Sequence, residues 1–67
     1  METYSIKIQE GNKVARAGLR LIVGNCYIYK VEVRLGKKYI YFGQAKGNTK
    51  KEAEVAAIAM AKDAISF

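Results

Sequence analysis

The chain has 67 residues, of which 51% are apolar, and this composition is typical of a globular domain rather than a disordered chain. At this length only about 60% of the unfolded chain's surface is buried on folding, so we expect one small domain, residues 1–67, of marginal stability. The formal net charge of +6 favours polyanionic partners, and no apolar run approaches the roughly 18 residues of a membrane span.

The residue types present exclude several kinds of catalytic and metal site. Cys26 is the only cysteine, so an intrachain disulfide is excluded and a reducing, cytoplasmic location is expected. The chain has no histidine, which excludes a Cys–His nucleophile, a Ser–His–Asp triad and a zinc site of the usual ligands. We therefore expect no catalytic residue, no metal and no cofactor, and we predict that the protein is not an enzyme.

The first third of the chain has weak strand patterns. Thr3 to Gln9 alternates between apolar and polar residues, which makes residues 1–16 a flexible arm or an extra strand. A turn is predicted at Glu10 to Asn12, and Lys13 to Ala17 has no clear period. Leu19 to Val23 alternates again and is predicted to be a strand with Leu19, Leu21 and Val23 on one face, followed by a turn at Gly24-Asn25.

The central stretch, Tyr27 to Gln44, predicts two strands joined by a type II′ turn at Gly36-Lys37. This turn places Leu35 opposite Lys38 and, further along, Val31 opposite Phe42. Because side chains alternate between the faces of a strand, the hairpin has two different faces. The expected core face carries Val31, Val33, Leu35, Ile40 and Phe42. The other face carries Lys30, Glu32, Arg34, Tyr39 and Tyr41.

The C-terminal third predicts a loop over Ala45 to Asn48 and then one helix. Thr49 has the features of an N-cap, with Glu52 as its partner in a capping box. From Lys50 to Ile65 the chain is rich in helix formers, and small apolar residues recur at helical spacing. The apolar stripe consists of Ala53, Ala56, Ala57, Met60, Ala61, Ala64 and Ile65.

The expected fold is α+β, with a three-stranded antiparallel sheet, or four strands with the N-terminal one, packed on a C-terminal helix. One helix covers one sheet face, so the basic and aromatic face is expected to stay open. Most of the net positive charge, +4 of +6, lies at residues 27–47, where five lysines and arginines accompany one glutamate. Arginine, lysine and tyrosine side chains contact phosphates and bases, so we predict duplex nucleic acid as the partner. A merely solvated face and a homodimer or partner-protein contact are the alternatives. The candidate binding residues are Arg20, Lys30, Arg34, Lys37, Lys38, Tyr39, Tyr41, Lys50 and Lys51.

The Gly-Lys-Lys hairpin, the tyrosine-rich return strand and the Thr49 to Glu54 run resemble a known family of DNA-binding domains. These are the arm-type N-terminal domains of tyrosine recombinases, the phage and conjugative-transposon integrases, and the related AP2 domain. The resemblance covers about Gly18 to Ile65, although the Gly-Phe step usual before Thr-Lys-Lys is absent. It implies a sheet in the DNA major groove with Arg20, Lys30, Arg34, Tyr39 and Tyr41 at the DNA.

A second resemblance is carried by Ala45 to Glu54, followed by Ala57 and Ala61. This run is similar to the last part of a double-stranded-RNA-binding domain, in which lysines at the start of the final helix meet phosphates. The resemblance implies that Lys50 and Lys51 contact RNA. That fold has a helix before its strands, and residues 1–25 show no helical period, so RNA binding is the alternative to DNA binding.

Overall fold

A computed structural model describes residues 4–66. These residues form four strands and a helix: β1 (Ile6–Glu10), β2 (Lys13–Val23), β3 (Cys26–Leu35), β4 (Lys38–Gly47) and α1 (Lys50–Ala64). The strands make one antiparallel sheet in the order β1-β2-β3-β4, and α1 packs on one face of it. The predicted α+β class is confirmed, and so is the extra N-terminal strand. Residues 1–3 of the predicted arm lie outside the described residues.

The three hairpins of the sheet share one kind of turn. Each is a two-residue turn with glycine first, at Gly11-Asn12, Gly24-Asn25 and Gly36-Lys37. The glycines have φ values of 63°, 59° and 65°, which side chains with a Cβ rarely adopt. Glycine at these positions therefore sets where each strand turns back, as the sequence predicted.

The helix begins as the sequence predicted. The Thr49 hydroxyl accepts a hydrogen bond from the Glu52 backbone N–H at 3.1 Å, and the Glu52 carboxylate accepts one from the Asn48 N–H at 3.1 Å. These bonds satisfy N–H groups that have no partner within the helix. The stripe that α1 buries consists of Ala53, Ala57, Ala61 and Ala64, with Ala56 and Met60 partly buried beside it.

The pairing of β3 with β4 departs from the prediction at a β-bulge. Val31 pairs with Gly43 and not with Phe42, because the register shifts by one residue between Val31 and Glu32. From Gly43 to Gly47, the shift therefore exchanges which residues of β4 point toward the helix and which point away from it. Small residues, Gly43, Ala45 and Gly47, therefore face the helix, and the expected loop at residues 45–47 is part of the strand.

Small residues on β4 allow α1 to approach the sheet closely. A Cβ added to Gly47 would lie 2.3 Å from the backbone N of Ala53, so the backbone of the first turn of α1 lies directly against this glycine. A Cβ added to Gly43 would lie 3.1 Å from the Met60 sulfur. The predicted role of the alanine stripe, close packing of a helix on a sheet, is confirmed.

Part of the expected core face was predicted wrongly. Val31 is fully buried and Val33 is partly buried, but Leu35, Ile40 and Phe42 are exposed. The helix meets β4 at Gly47 and Gly43, so the Gly36 end of the hairpin extends past the area that α1 covers.

Strand β2 is longer and less regular than predicted. It begins at Lys13, so the stretch without a clear period is a strand whose Ala15 and Ala17 are buried against α1. A second bulge lies between Leu19 and Leu21. It moves Leu19 and Leu21 to opposite faces, so the prediction that they share one face is wrong.

Candidate nucleic-acid interface

The sheet face opposite α1, called here the outer face, carries the polar strand residues. Ala15, Ala17, Tyr29, Val31 and Ala45 pack with the helix, and the residues that alternate with them point away from it. The charged and aromatic residues of the outer face are Lys7, Arg16, Lys30, Glu32, Arg34, Tyr39, Tyr41 and Lys46. The predicted separation of the hairpin into an apolar and a basic-aromatic face is confirmed for Lys30 to Arg34 and for Tyr39 and Tyr41.

The centre of the outer face is an ordered cluster around one arginine. The Arg16 Nε donates to Glu32 Oε1 at 2.8 Å, and the Arg16 guanidinium carbon lies 3.9 Å from the ring centroid of Tyr4 and 3.6 Å from that of Tyr39. The Lys30 ammonium lies 3.2 Å from the other oxygen of Glu32. We call these five residues the Arg16–Glu32 cluster. The two rings and the carboxylate hold the guanidinium in one orientation.

Strand register explains why these residues meet. Arg16 on β2 pairs with Glu32 on the central strand β3, and Glu32 in turn pairs with Tyr41 on β4. Tyr39 lies opposite Arg34, one position further along the same face. Cross-strand neighbours on one face are close enough for ion pairs and ring contacts, so the sheet brings cations from β2 and β3 to one carboxylate.

Glu32 is the only buried charged residue among those that the structure describes, with 7% of the whole residue's surface and 10% of its side chain exposed. Burial raises the pKa of the Glu32 carboxyl, but hydrogen bonds from Arg16, Tyr4 and Lys30 lower it by more, so the net shift is downward. Glu32 is therefore ionised at neutral pH. For Arg16, burial is the largest single influence and lowers the pKa of the guanidinium, but the hydrogen bond to Glu32, the charge of Glu32 and the smaller contributions of Tyr4 and Tyr39 together outweigh it, so the net shift is upward.

The predicted hairpin residues divide into two groups. Lys30 and Tyr39 belong to the Arg16–Glu32 cluster and are only half exposed. Arg34 and Tyr41 are exposed, and Tyr41 presents 53% of its surface to solvent. The Arg34 Nε donates to the Gly36 carbonyl at 2.9 Å, which holds the side chain along the hairpin. The expectation that the whole hairpin face is open is therefore met at Arg34 and Tyr41 and is wrong for Lys30 and Tyr39.

The other predicted residues are not gathered on the outer face by strand pairing. Arg20 is the extra residue of the β2 bulge, so regular alternation does not place it beside Lys30 and Arg34. Lys37 is in the turn, and Lys38 pairs with Leu35, on the side of the sheet where α1 lies. Lys50 and Lys51 are exposed in the first turn of α1. The basic residues thus form two separate groups, one on the outer face and one at the helix start.

Sequence reasoning missed Arg16, which is the centre of the cluster, and also Lys7 and Lys46. Alanines occupy the buried positions on either side of Arg16, and such small residues gave β2 no visible apolar alternation. A usable signal was the Gly11-Asn12 turn, which has the same form as Gly36-Lys37. It places Lys7 opposite Arg16 in the β1–β2 pair, as observed.

Metal-binding and membrane-spanning features are both absent from the part of the chain that the structure describes. Residues 4–66 contain no group of three or more histidine, cysteine, aspartate or glutamate side chains placed to hold a metal ion. Within the same residues, no helix has the length and apolar character needed to cross a membrane.

Comparison of the chain with protein-family models, with curated proteins and with solved structures gives no match.

Proposed function

We propose that this protein is a non-enzymatic domain that binds duplex nucleic acid through its outer face, and that it binds DNA more tightly than RNA. A cytoplasmic location, expected from the single cysteine, belongs to the same proposal. The observation that carries it is the balance of charge on the outer face. Glu32 is the only carboxylate among the strand residues that point to this side in the described chain, and its two oxygens are occupied by Arg16 and Lys30.

The cations that remain are suited to contact phosphates. Lys7, Arg34 and Lys46 lie on β1, β3 and β4, so positive charge extends across the width of the sheet. Contacts from lysine and arginine to phosphates supply most of the affinity of non-specific nucleic-acid binding. A carboxylate that stays paired within the protein does not repel the phosphates as a free one would.

Tyr41 and Arg34, on the neighbouring strands β4 and β3, supply contacts beyond those of the lysines with phosphates. Tyr41 is exposed and Arg34 lies beside it on the same face. On a duplex, whose base faces are stacked on one another, an exposed ring packs on a sugar or on a thymine methyl group, and an arginine donates to phosphates or to guanine edges. We therefore assign the closest contacts with the nucleic acid to this pair of side chains.

The shape of the site favours DNA over RNA. The major groove of B-DNA is about 12 Å wide and admits a two-stranded ribbon, whereas the A-form major groove is too deep and narrow for side chains to read. The β3–β4 hairpin, which carries Arg34 and Tyr41, therefore fits the DNA groove. A site at the start of α1, made by Lys50 and Lys51, would instead suit the phosphates of duplex RNA.

The two groups of basic residues allow a direct test. The longest dimension of the domain is 36 Å, which corresponds to about eleven base pairs at 3.4 Å each, so a 16-base-pair duplex is too short for two copies placed end to end. Affinities for matched DNA and RNA duplexes are measured for the wild type, for Arg34→Ala with Tyr41→Ala, and for Lys50→Ala with Lys51→Ala. Each outer-face change is expected to weaken DNA binding by about 1–3 kcal/mol.

The lysine pair is the matched control, because all four side chains are exposed and neither double variant is expected to unfold the domain. We expect the lysine changes to cost less than the outer-face changes on DNA. If the lysines dominate and RNA is preferred, the protein uses its helix start and the proposal is wrong. If neither pair matters, the outer face serves a protein partner or no partner.

A further inference from the structure

The end of the outer face nearest the Gly24-Asn25 turn is apolar. Ile28 of β3 alternates with Tyr29, which is fully buried against α1, so the Ile28 side chain points to the outer face. Strand pairing places Leu21 of β2 opposite Ile28, and Val23 lies two positions further along β2 on the same face. We call Leu21, Val23 and Ile28 the apolar end. Leu21 and Val23 expose 39% and 58% of their surface, so a partner can reach both side chains.

Positive charge lies beside the apolar end. Lys46 of β4 pairs with Ile28, and Lys30 lies two positions from Ile28 on the same face. Glu32, whose oxygens contact Arg16 and Lys30, is the only carboxylate among the strand residues of the described chain that point to this side. A partner that complements the apolar end must therefore carry negative charge and present small apolar groups between its charges.

The major groove of duplex DNA presents this combination of groups. Phosphates border the groove, and each thymine directs its C5 methyl group into it, where apolar side chains contact it. The major groove of A-form RNA is too narrow for side chains to enter, and uracil lacks the methyl group. Arg34 and Ile28 lie six positions apart on β3, which is about 20 Å at roughly 3.3 Å per residue. An outer face that places Arg34 in the groove therefore also places the apolar end there, about four to six base pairs away.

We propose that the apolar end gives the protein a preference for thymine, through contact between its aliphatic side chains and the thymine C5 methyl group in the major groove. This inference rests on the proposed function and adds a base preference to it. Lys46 contacts a phosphate beside the groove, and Leu21 and Val23 pack on the methyl groups within it. Burial of one methyl group in such a contact contributes about fourfold in affinity.

Replacing every thymine of a duplex with deoxyuridine removes the methyl groups and leaves the base pairing and the phosphates unchanged. Affinities are measured for a 16-base-pair duplex of mixed adenine–thymine sequence and for the same duplex with deoxyuridine. Because all thymines are replaced, the result does not depend on where the protein lies on the duplex. We expect the wild type to bind the thymine duplex at least about fourfold more tightly, which corresponds to one buried methyl group.

Leu21→Ala assigns the preference to the apolar end, and Ile22→Ala is its matched control. Ile22 is the next residue of β2, is 53% exposed and pairs with Tyr27 on the helix side of the sheet. We expect the ratio of the two affinities to keep its wild-type value in Ile22→Ala and to fall by about fourfold in Leu21→Ala. Val23→Ala repeats the test at a second position of the apolar end, and the comparison of the two duplexes with the wild type depends on no variant.

The outcomes separate this inference from the proposed function. Equal binding of the two duplexes by the wild type, or equal ratios in Leu21→Ala and Ile22→Ala, would overturn the thymine preference and leave the proposed function intact. Absence of binding to both duplexes would overturn the two together. Sedimentation, and binding to vesicles of phosphatidylserine and phosphatidylcholine, complete the comparison. If Leu21→Ala weakens self-association or vesicle binding and leaves the duplex ratio unchanged, the apolar end serves a second copy or a lipid surface, and the thymine preference is wrong.

Discussion

Replacing Glu32 with glutamine tests whether the Arg16–Glu32 cluster stabilises the fold. The Glu32 side chain is 10% exposed, and it accepts from Arg16 at 2.8 Å and contacts Lys30 at 3.2 Å. Hydrogen bonds to charged groups contribute about 1.5–3 kcal/mol each, and breaking a fully buried ion pair costs about 3–5 kcal/mol. Arg16 is 30% exposed and glutamine keeps one acceptor oxygen, so we expect Glu32→Gln to cost about 2 kcal/mol of unfolding free energy. In a domain of this size that lowers Tm by roughly 8–16 °C.

The way the Tm difference between wild type and Glu32→Gln depends on pH tests whether the ionised carboxylate of Glu32 stabilises the fold. The pKa of Glu32 is lower in the folded chain than in the unfolded chain, where a glutamate titrates near about 4.3. Its contribution is therefore fully present above about pH 5 and is lost as pH falls through the folded pKa. Thermal melts should show a constant Tm gap between wild type and Glu32→Gln from pH 7 to about pH 5, and a shrinking gap below that range.

Glu10→Gln is the control for this experiment, because it removes the same charge from an exposed residue of β1. It should change Tm by only a degree or two. A Tm for Glu32→Gln equal to that of the control, or a gap that persists unchanged at pH 3, would refute the cluster as a source of stability. Where both proteins are folded, Glu32→Gln should bind duplex DNA at least as well as the wild type.

Two further predictions concern packing and the thiol. Gly47→Ala should destabilise the fold by about 3 kcal/mol, because the new Cβ meets the backbone N of Ala53 at 2.3 Å. Gly43→Ala meets only the flexible Met60 side chain, so its stability in denaturant melts should stay within about 1 kcal/mol of wild type. Equal costs for the two variants would contradict the close approach of α1 to Gly47. Cys26 is half-buried and unpaired, so Cys26→Ser should lower the free energy of unfolding by less than about 1 kcal/mol and leave DNA affinity within a few-fold of wild type. Loss of DNA binding in the folded variant would reveal a function of the thiol.

The elements that depend on local chemistry could be predicted from the sequence. The Gly-first turns, the Thr49 cap and the alanine stripe of α1 each depend on neighbouring residues alone, and all are observed. The pairing next to the Gly36-Lys37 turn was also predicted correctly, from Leu35–Lys38 to Glu32–Tyr41. Local rules therefore determine most of the fold class and the first residues of each hairpin.

The bulges could not be predicted from local rules, and they decide the site. Counting back from the Gly24-Asn25 turn without a bulge would place Arg16 opposite Val33, but the extra residue at Arg20 places it opposite Glu32. The bulge at Phe42 in β4 turns Ala45 toward the helix. Regular pairing would have placed Gln44 there. The bulge in β4 brings Gly43 and Gly47 against α1, an element outside the paired strands, and no pattern within β2 indicates the bulge at Arg20.

The salt dependence of DNA binding tests the central claim most directly. Equilibrium titrations of a 16-base-pair DNA duplex with the wild type, from about 50 to 300 mM salt, give the number of phosphate contacts from the slope of log affinity against log salt. With about four to six phosphate contacts in all, the slope should be roughly −4 to −5, and it should become shallower by about one for each of Lys7→Ala, Arg34→Ala and Lys46→Ala. A slope near zero, or no binding at the lowest salt, would contradict the proposal that the outer face binds duplex nucleic acid.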